Sequence, residues 1–225
     1  MKVATVAAPK GGSTKSSTVC LLAVRAVQDA KHVCLIDLNP DQASLIRWHA
    51  ARGTPMNPHL ERNIKKLSAD IEVLRASNRF DWVFIDTPPL DMDVIETAVQ
   101  VSDCVVIPVR TSSLDVNAID AIVEMCRDYE KPYKFLLSAV DTKMSKLTDS
   151  AINALVKHGE LFSKRVKYLL PYINAMTAGR TGPEIDHSLQ EDNTALWVEV
   201  QALAASTIKP TLRMLEEKRR RAAND

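Results

Sequence analysis

Five short apolar runs set the terms on which this chain can fold. They occupy residues 3–7, 33–36, 82–85, 105–109 and 135–137, and none alternates apolar with polar positions. A strand that is apolar on successive residues must be covered on both faces, the condition of a parallel sheet. Between the runs lie stretches with helical periodicity. Residues 15–30 read as a helix, and Ile119, Ile122, Val123 and Cys126 recur at helical spacing. Strands alternating with helices predict an α/β fold: a doubly wound, mostly parallel sheet with helices on both faces. The 225 residues are expected to form a single domain, because 46% hydrophobic content suffices for one core and no composition shift marks a linker.

The remaining stretches are read more coarsely. Residues 41–79 are mostly helical in pattern, with a turn at residues 53–58. Residues 171–193 are rich in Gly, Pro, Thr and Asn and read as a long loop. Residues 194–221 read as a terminal helix with a break at Pro210, ending in the basic run Lys218, Arg219, Arg220 and Arg221. Several function classes are disfavoured. The first twelve residues lack the length of a secretory signal, and no apolar stretch approaches the roughly 20 residues of a membrane span. Cys20, Cys34, Cys104 and Cys126 form no C-x-x-C pair and lie in apolar context, so buried thiols in a reducing cytoplasm are expected. The net charge of +1 makes any basic surface a local one.

The chemistry sits at the ends of the apolar runs. After the first comes "APKGGSTKSST", residues 8–18, between a strand and a helix. A phosphate loop works through backbone N–H groups in a glycine turn and through the positive end of the following helix. Gly11, Gly12 and Ser13 supply the turn, Lys15 a charge for the β- and γ-phosphates, Ser16 a hydroxyl for Mg²⁺, and Ser17 a contact to the α-phosphate. Two positions depart from G-x-x-x-x-G-K-[ST]. Thr14 stands where a glycine belongs, and being β-branched it requires either an ordinary negative φ or an adjusted loop geometry. Lys10 is not required by the pattern at all. The second and third runs end at Asp37 and Asp86, on the ligand-binding edge of such a sheet, where a carboxylate can hold a magnesium-bound water.

Together these segments resemble the ParA/MinD family of dimeric P-loop ATPases, whose loop reads K-G-G-x-x-K-[ST]. The matching residues are Lys10, Gly11, Gly12, Lys15, Ser16 and Ser17, then "LIDLNPDQAS" at 35–44, "FDWVFIDTPP" at 80–89, "DCVVIPVRTSSLDV" at 103–116 and "LLPYINAMTAGRTGPEID" at 169–186. The likeness spans about residues 2–205 and is greatest to short plasmid-partition ParA proteins, which lack an N-terminal helix-turn-helix domain. It implies ATP and Mg²⁺ as ligands, with Ser16, Asp37 and Asp86 at the metal. It implies Lys10, Lys15, Asp37 and position 39 as the catalytic set, with Lys10 crossing a dimer interface to the partner's phosphates. Adenine contacts are implied at Pro171, Tyr172 and Asn174.

One departure bears on rate. Asn39 replaces the family's second aspartate, the residue that activates the attacking water, and an amide can orient water but cannot take its proton. Asp41, two residues on, is the available carboxylate. The resemblance thus implies a DNA-partition ATPase: a homodimer formed on ATP that binds DNA nonspecifically, with a centromere-binding adaptor that stimulates slow hydrolysis. Such a protein is cytoplasmic and nucleoid-associated. Arg213, Lys218, Arg219, Arg220 and Arg221 are the candidate DNA contacts, joined by Lys164, Arg165, Lys167 and Arg180 if these cluster. Two alternatives are an ATP-gated recruitment protein for DNA transfer and a MinD-like membrane ATPase. The apolar stripe begun by Ile208, Leu212 and Leu215 is not continued, which disfavours the membrane.

Overall fold

The computed structural model describes residues 1–39, 42–116, 118–141 and 145–206. The five apolar runs become strands, and a sixth, β3, joins them: β1 (Lys2–Val6), β2 (Val33–Asp37), β3 (His59–Glu61), β4 (Trp82–Asp86), β5 (Cys104–Val109) and β6 (Tyr133–Leu137). All pair in parallel in the order β3-β2-β4-β1-β5-β6. The helices are α1 (Lys15–Gln28), α2 (Ser44–Ala51), α3 (Leu67–Ser77), α4 (Met92–Val101), α5 (Ser113–Val116), α6 (Asp120–Asp128), α7 (Ser145–Leu155), α8 (Leu170–Thr177), α9 (Gly182–Ile185) and α10 (Gln190–Ala205). A 3₁₀ turn, His187–Leu189, leads into α10.

Side chains alternate across the sheet, and each face has its own cover. Ala4, Val6, Leu35, Phe84, Val106 and Leu136 point to one face, under α1, α2 and α10. Val3, Ile36, Val83 and Ile85 point to the other, under α3 and α4. Val105, Ile107, Phe135 and Leu137 continue that second face under α4, α6 and α7. Burial on both faces is why the strands are apolar at successive residues. The chain winds from β1 to β2 and β3, returns to β4, and crosses β1 to reach β5 and β6. The carboxyl ends of β1, β4 and β2 therefore share one edge, where doubly wound sheets bind ligands. The four cysteines are buried and unbonded, and burial pushes the Cys34 and Cys126 thiols up to about 12.

Three readings are corrected. Residues 41–79 are not only helical, because they include the edge strand β3. Residues 171–193 are not a long loop: they carry α8, α9 and the start of α10, with Pro171 and Pro183 in the first turns of α8 and α9. Proline is suited to a helix's first turn, where its missing N–H costs nothing. The last described helix begins at Gln190 rather than 194, and the expected break at Pro210 and the basic run lie outside the described residues. Among the described residues no helix is long and apolar enough to cross a membrane.

Trp197 joins α10 to the sheet. It is fully buried, meets Trp82 edge-on at 4.9 Å, and donates from Nε1 to Asp29 Oδ2 at 3.1 Å. Trp197→Ala is expected to destabilise the fold by about 3–5 kcal/mol, measured by urea denaturation.

Candidate nucleotide site

The residues after β1 must reverse the chain into α1 within a few positions. Two left-handed residues make the turn, Gly12 at φ 72° and Thr14 at φ 68°, ψ 20°. Lys15 is the first helical residue. Its Nζ donates to the Lys10 carbonyl at 3.0 Å, and Ser13 Oγ donates to the same carbonyl at 2.9 Å. The loop is thus closed on its own lysine, which is only 7% exposed. Burial lowers the Lys15 pKa, and the nearby Asp86 carboxylate acts to raise it.

Thr14 does not take an ordinary negative φ. It adopts the glycine conformation, so the loop keeps its course and the residue bears the strain, about 1–3 kcal/mol for a non-glycine in this region. Its hydroxyl offsets none of this. It does not cap α1, and it is buried without a hydrogen-bond partner among the described residues.

The pairing of β2 with β4 sets Asp37 directly beside Asp86. Asp86 is 1% exposed. Burial pushes its pKa up to about 7 and Asp37 pushes the same way, while a hydrogen bond with Ser16 and the charge of Lys15 oppose them. One of its oxygens, Oδ1, has no partner among the described residues. Asp37 is also raised by burial, less so because the N–H groups of Asn39 and Ile46 donate to it at 3.0 and 3.2 Å. A serine hydroxyl and two carboxylates, one with an unpartnered oxygen, form an all-oxygen donor set that suits a hard cation such as Mg²⁺.

Asn39 is 8% exposed and engaged with its own turn: Nδ2 donates to Gln42 Oε1 at 3.2 Å, and Oδ1 accepts from Gln42 N–H at 3.4 Å. Asp41 lies outside the described residues. Lys10 forms an ion pair at 3.5 Å with Asp115 of α5 in its own chain, a contact that the sequence did not announce.

Two adjoining cavities lie over the loop. The larger, about 580 Å³, is lined by residues 12–17 together with Asn39, Gln42, Arg47 and Trp48. The smaller, about 310 Å³, shares Gly12, Thr14 and Ser17 and adds Leu21, Arg110, Leu169 and Tyr172. Of the three candidate adenine contacts only Tyr172 reaches a cavity: Pro171 and Asn174 line neither, and Asn174 is exposed. The sequence reading missed Arg47, Trp48 and Arg110, because cavity walls built from separate elements leave no local motif. Lys164 and Lys167 both approach Asp192, at 2.8 and 4.0 Å, Arg165 is exposed, and Arg180 donates to the Glu184 carbonyl. Arg213, Lys218, Arg219, Arg220 and Arg221 lie outside the described residues.

A parallel sheet with a glycine turn, a buried lysine and carboxylates gathered on one edge defines the P-loop nucleotide-binding class. Residues 4–180 match the family model described as the CobQ/CobB/MinD/ParA nucleotide binding domain, and the chain belongs to that family. No curated protein matches the chain. Among solved structures it is similar to a McdA variant from Cyanothece in complex with ATP, at 17% identity and TM-score 0.71, covering 89% of this chain and 96% of that one. It is similar to a putative plasmid partition protein from Borrelia burgdorferi B31 bound to AMPPNP, at 17% identity and TM-score 0.69, covering 89% and 99%. It is also similar to the septum site-determining protein MinD complexed with Mg-ADP from Pyrococcus horikoshii, at 13% identity and TM-score 0.71, covering 90% and 97%.

Two outcomes follow for the protein without nucleotide. Thr14→Gly is expected to stabilise it by about 1 kcal/mol, strain relief exceeding the added freedom of the unfolded chain, read as a rise in Tm. Asp86 has a folded pKa raised from 3.8 to about 7, so its contribution is fully present below about pH 4 and is lost as pH rises toward 7. The Tm advantage of Asp86→Asn over the parent is therefore expected to be larger at pH 8 than at pH 5.

Proposed function

We propose that this protein is a ParA-like partition ATPase: an ATP-dependent homodimer that binds DNA nonspecifically and leaves it on hydrolysis stimulated by a centromere-binding adaptor. The observation that supports this reading best is the loop itself. Lys15 is already drawn under the turn to serve a phosphate chain, while Lys10, the lysine that an ordinary phosphate loop lacks, pairs with Asp115 and keeps its side chain about one-third exposed. A lysine in that place can answer the charge of a partner's nucleotide once it leaves Asp115. Ser16, Asp37 and Asp86 would hold Mg²⁺, which when bound neutralises charge on the phosphate oxygens. The ATP, AMPPNP and Mg-ADP complexes of the similar structures support this ligand class.

The roles of the chain's own groups then follow. Backbone N–H groups of residues 11–17 and the α1 N-terminus bind phosphate oxygens. Lys15 and Lys10 neutralise the β- and γ-phosphates, and Ser17 takes the α-phosphate. Tyr172 borders the base. Asn39 orients the attacking water without accepting its proton, which makes basal hydrolysis slow. Arg213, Lys218, Arg219, Arg220 and Arg221 supply phosphate-directed contacts to DNA.

A second reading is favoured by Asn39 alone: an ATP-gated protein that recruits a DNA-transfer complex and hardly turns over. The two are separated by turnover, which the adaptor stimulates only in the first. Asn39→Asp is expected to raise basal ATP turnover by about a hundredfold or more, the typical scale of a general base. The unmodified protein should shift arbitrary duplex DNA only with ATP, and less at higher salt. DNA binding that ignores nucleotide, or binding to anionic liposomes in its place, contradicts the partition role.

A further inference from the structure

Arg47 is a cation of the phosphate cavity that no motif announces. It lies on α2, one turn after Ser44, and lines the larger cavity together with Lys15, Ser16 and Asn39. It does not line the smaller cavity, where Tyr172 and Leu169 stand. It thus lines the one of the two cavities that contains Lys15 and Ser16. Its guanidinium donates to the Gln42 carbonyl, so it belongs to the same hydrogen-bonded turn that engages the Asn39 carboxamide. Its charge also acts on Asp37, partly offsetting the cost of burying that carboxylate.

Resting on the nucleotide-site reading above, we infer that Arg47 binds the γ-phosphate of its own subunit's nucleotide and makes the site prefer triphosphate to diphosphate. The chemistry of the wall supports this. Where the resemblance places an aspartate, this chain has neutral Asn39, and a carboxylate facing the γ-phosphate would repel it. Removing that charge and setting a guanidinium on the same turn converts a wall that activates water into one that retains phosphate. A guanidinium offers parallel N–H donors that match phosphate oxygens, and the anchor on the Gln42 carbonyl leaves other donors of the fork for the ligand. Arg47 is thus a binding residue and contributes nothing to proton transfer.

The test is equilibrium binding of Mg²⁺-ATPγS and Mg²⁺-ADP to the full chain, by calorimetry, for the parent, Arg47→Ala and Arg47→Lys. Arg47 is exposed, and an unchanged Tm in each variant checks that the fold is kept. Arg47→Ala is expected to weaken ATPγS about tenfold or more, the scale of a lost hydrogen bond to a charged group, and ADP by less than about threefold. Arg47→Lys should recover part of the ATPγS loss. An equal loss for both nucleotides, or no loss, overturns the inference and leaves the nucleotide-site reading standing. A parent protein that binds neither nucleotide overturns both.

Discussion

The Lys10 carbonyl closes the loop, accepting from the Lys15 ammonium across the turn and from Ser13 Oγ. The rest of the site is arranged around it. To bring the first residue of α1 back over the end of β1, the backbone must pass twice through left-handed conformations, at Gly12 and at Thr14. The parallel sheet beneath sets how that charge is met. β4 lies between β1 and β2, so the carboxyl ends of the three strands fall together, Asp86 comes within range of Lys15, and Asp37 stands beside Asp86. Both carboxylates resist ionisation because they are buried, a cost that a bound cation and its phosphate ligand can offset.

That arrangement was largely legible in the sequence, for a physical reason. Strands buried on both faces carry few polar residues, so β1, β2, β4, β5 and β6 appear as mostly apolar runs, with buried Thr5 satisfied by the Ala98 carbonyl, and the residues at their ends mark the ligand-binding edge. What escaped notice has equally physical causes. β3 is three residues long on the sheet's edge, with half-buried His59 and Glu61 flanking Leu60, too short and too polar to register. Pro171 and Pro183 suggested irregular chain, yet they start helices. Thr14 prefers a negative φ on steric grounds. Tertiary closure of the loop overrode its local preference.

Two departures from the family pattern and one further cation meet at this site. A glycine becomes a strained threonine with a buried, unpartnered hydroxyl. A water-activating aspartate becomes an asparagine bonded to Gln42. An arginine stands in the same cavity. The threonine stores strain in the loop, the asparagine is neutral where the family has an aspartate, and the arginine adds a positive charge to the cavity wall.

The claim beneath this account is that the site is half of a shared one, completed when Lys10 leaves Asp115 for a partner's nucleotide. Light scattering coupled to size exclusion tests it most directly, run in Mg²⁺ with ATPγS and with ADP for the parent chain and Lys10→Ala. The account predicts a molar mass that doubles with ATPγS but not with ADP, and a Lys10→Ala protein that binds ATPγS yet stays monomeric. A parent protein that remains monomeric with ATPγS bound, or a Lys10→Ala protein that dimerises as readily as the parent, would contradict it.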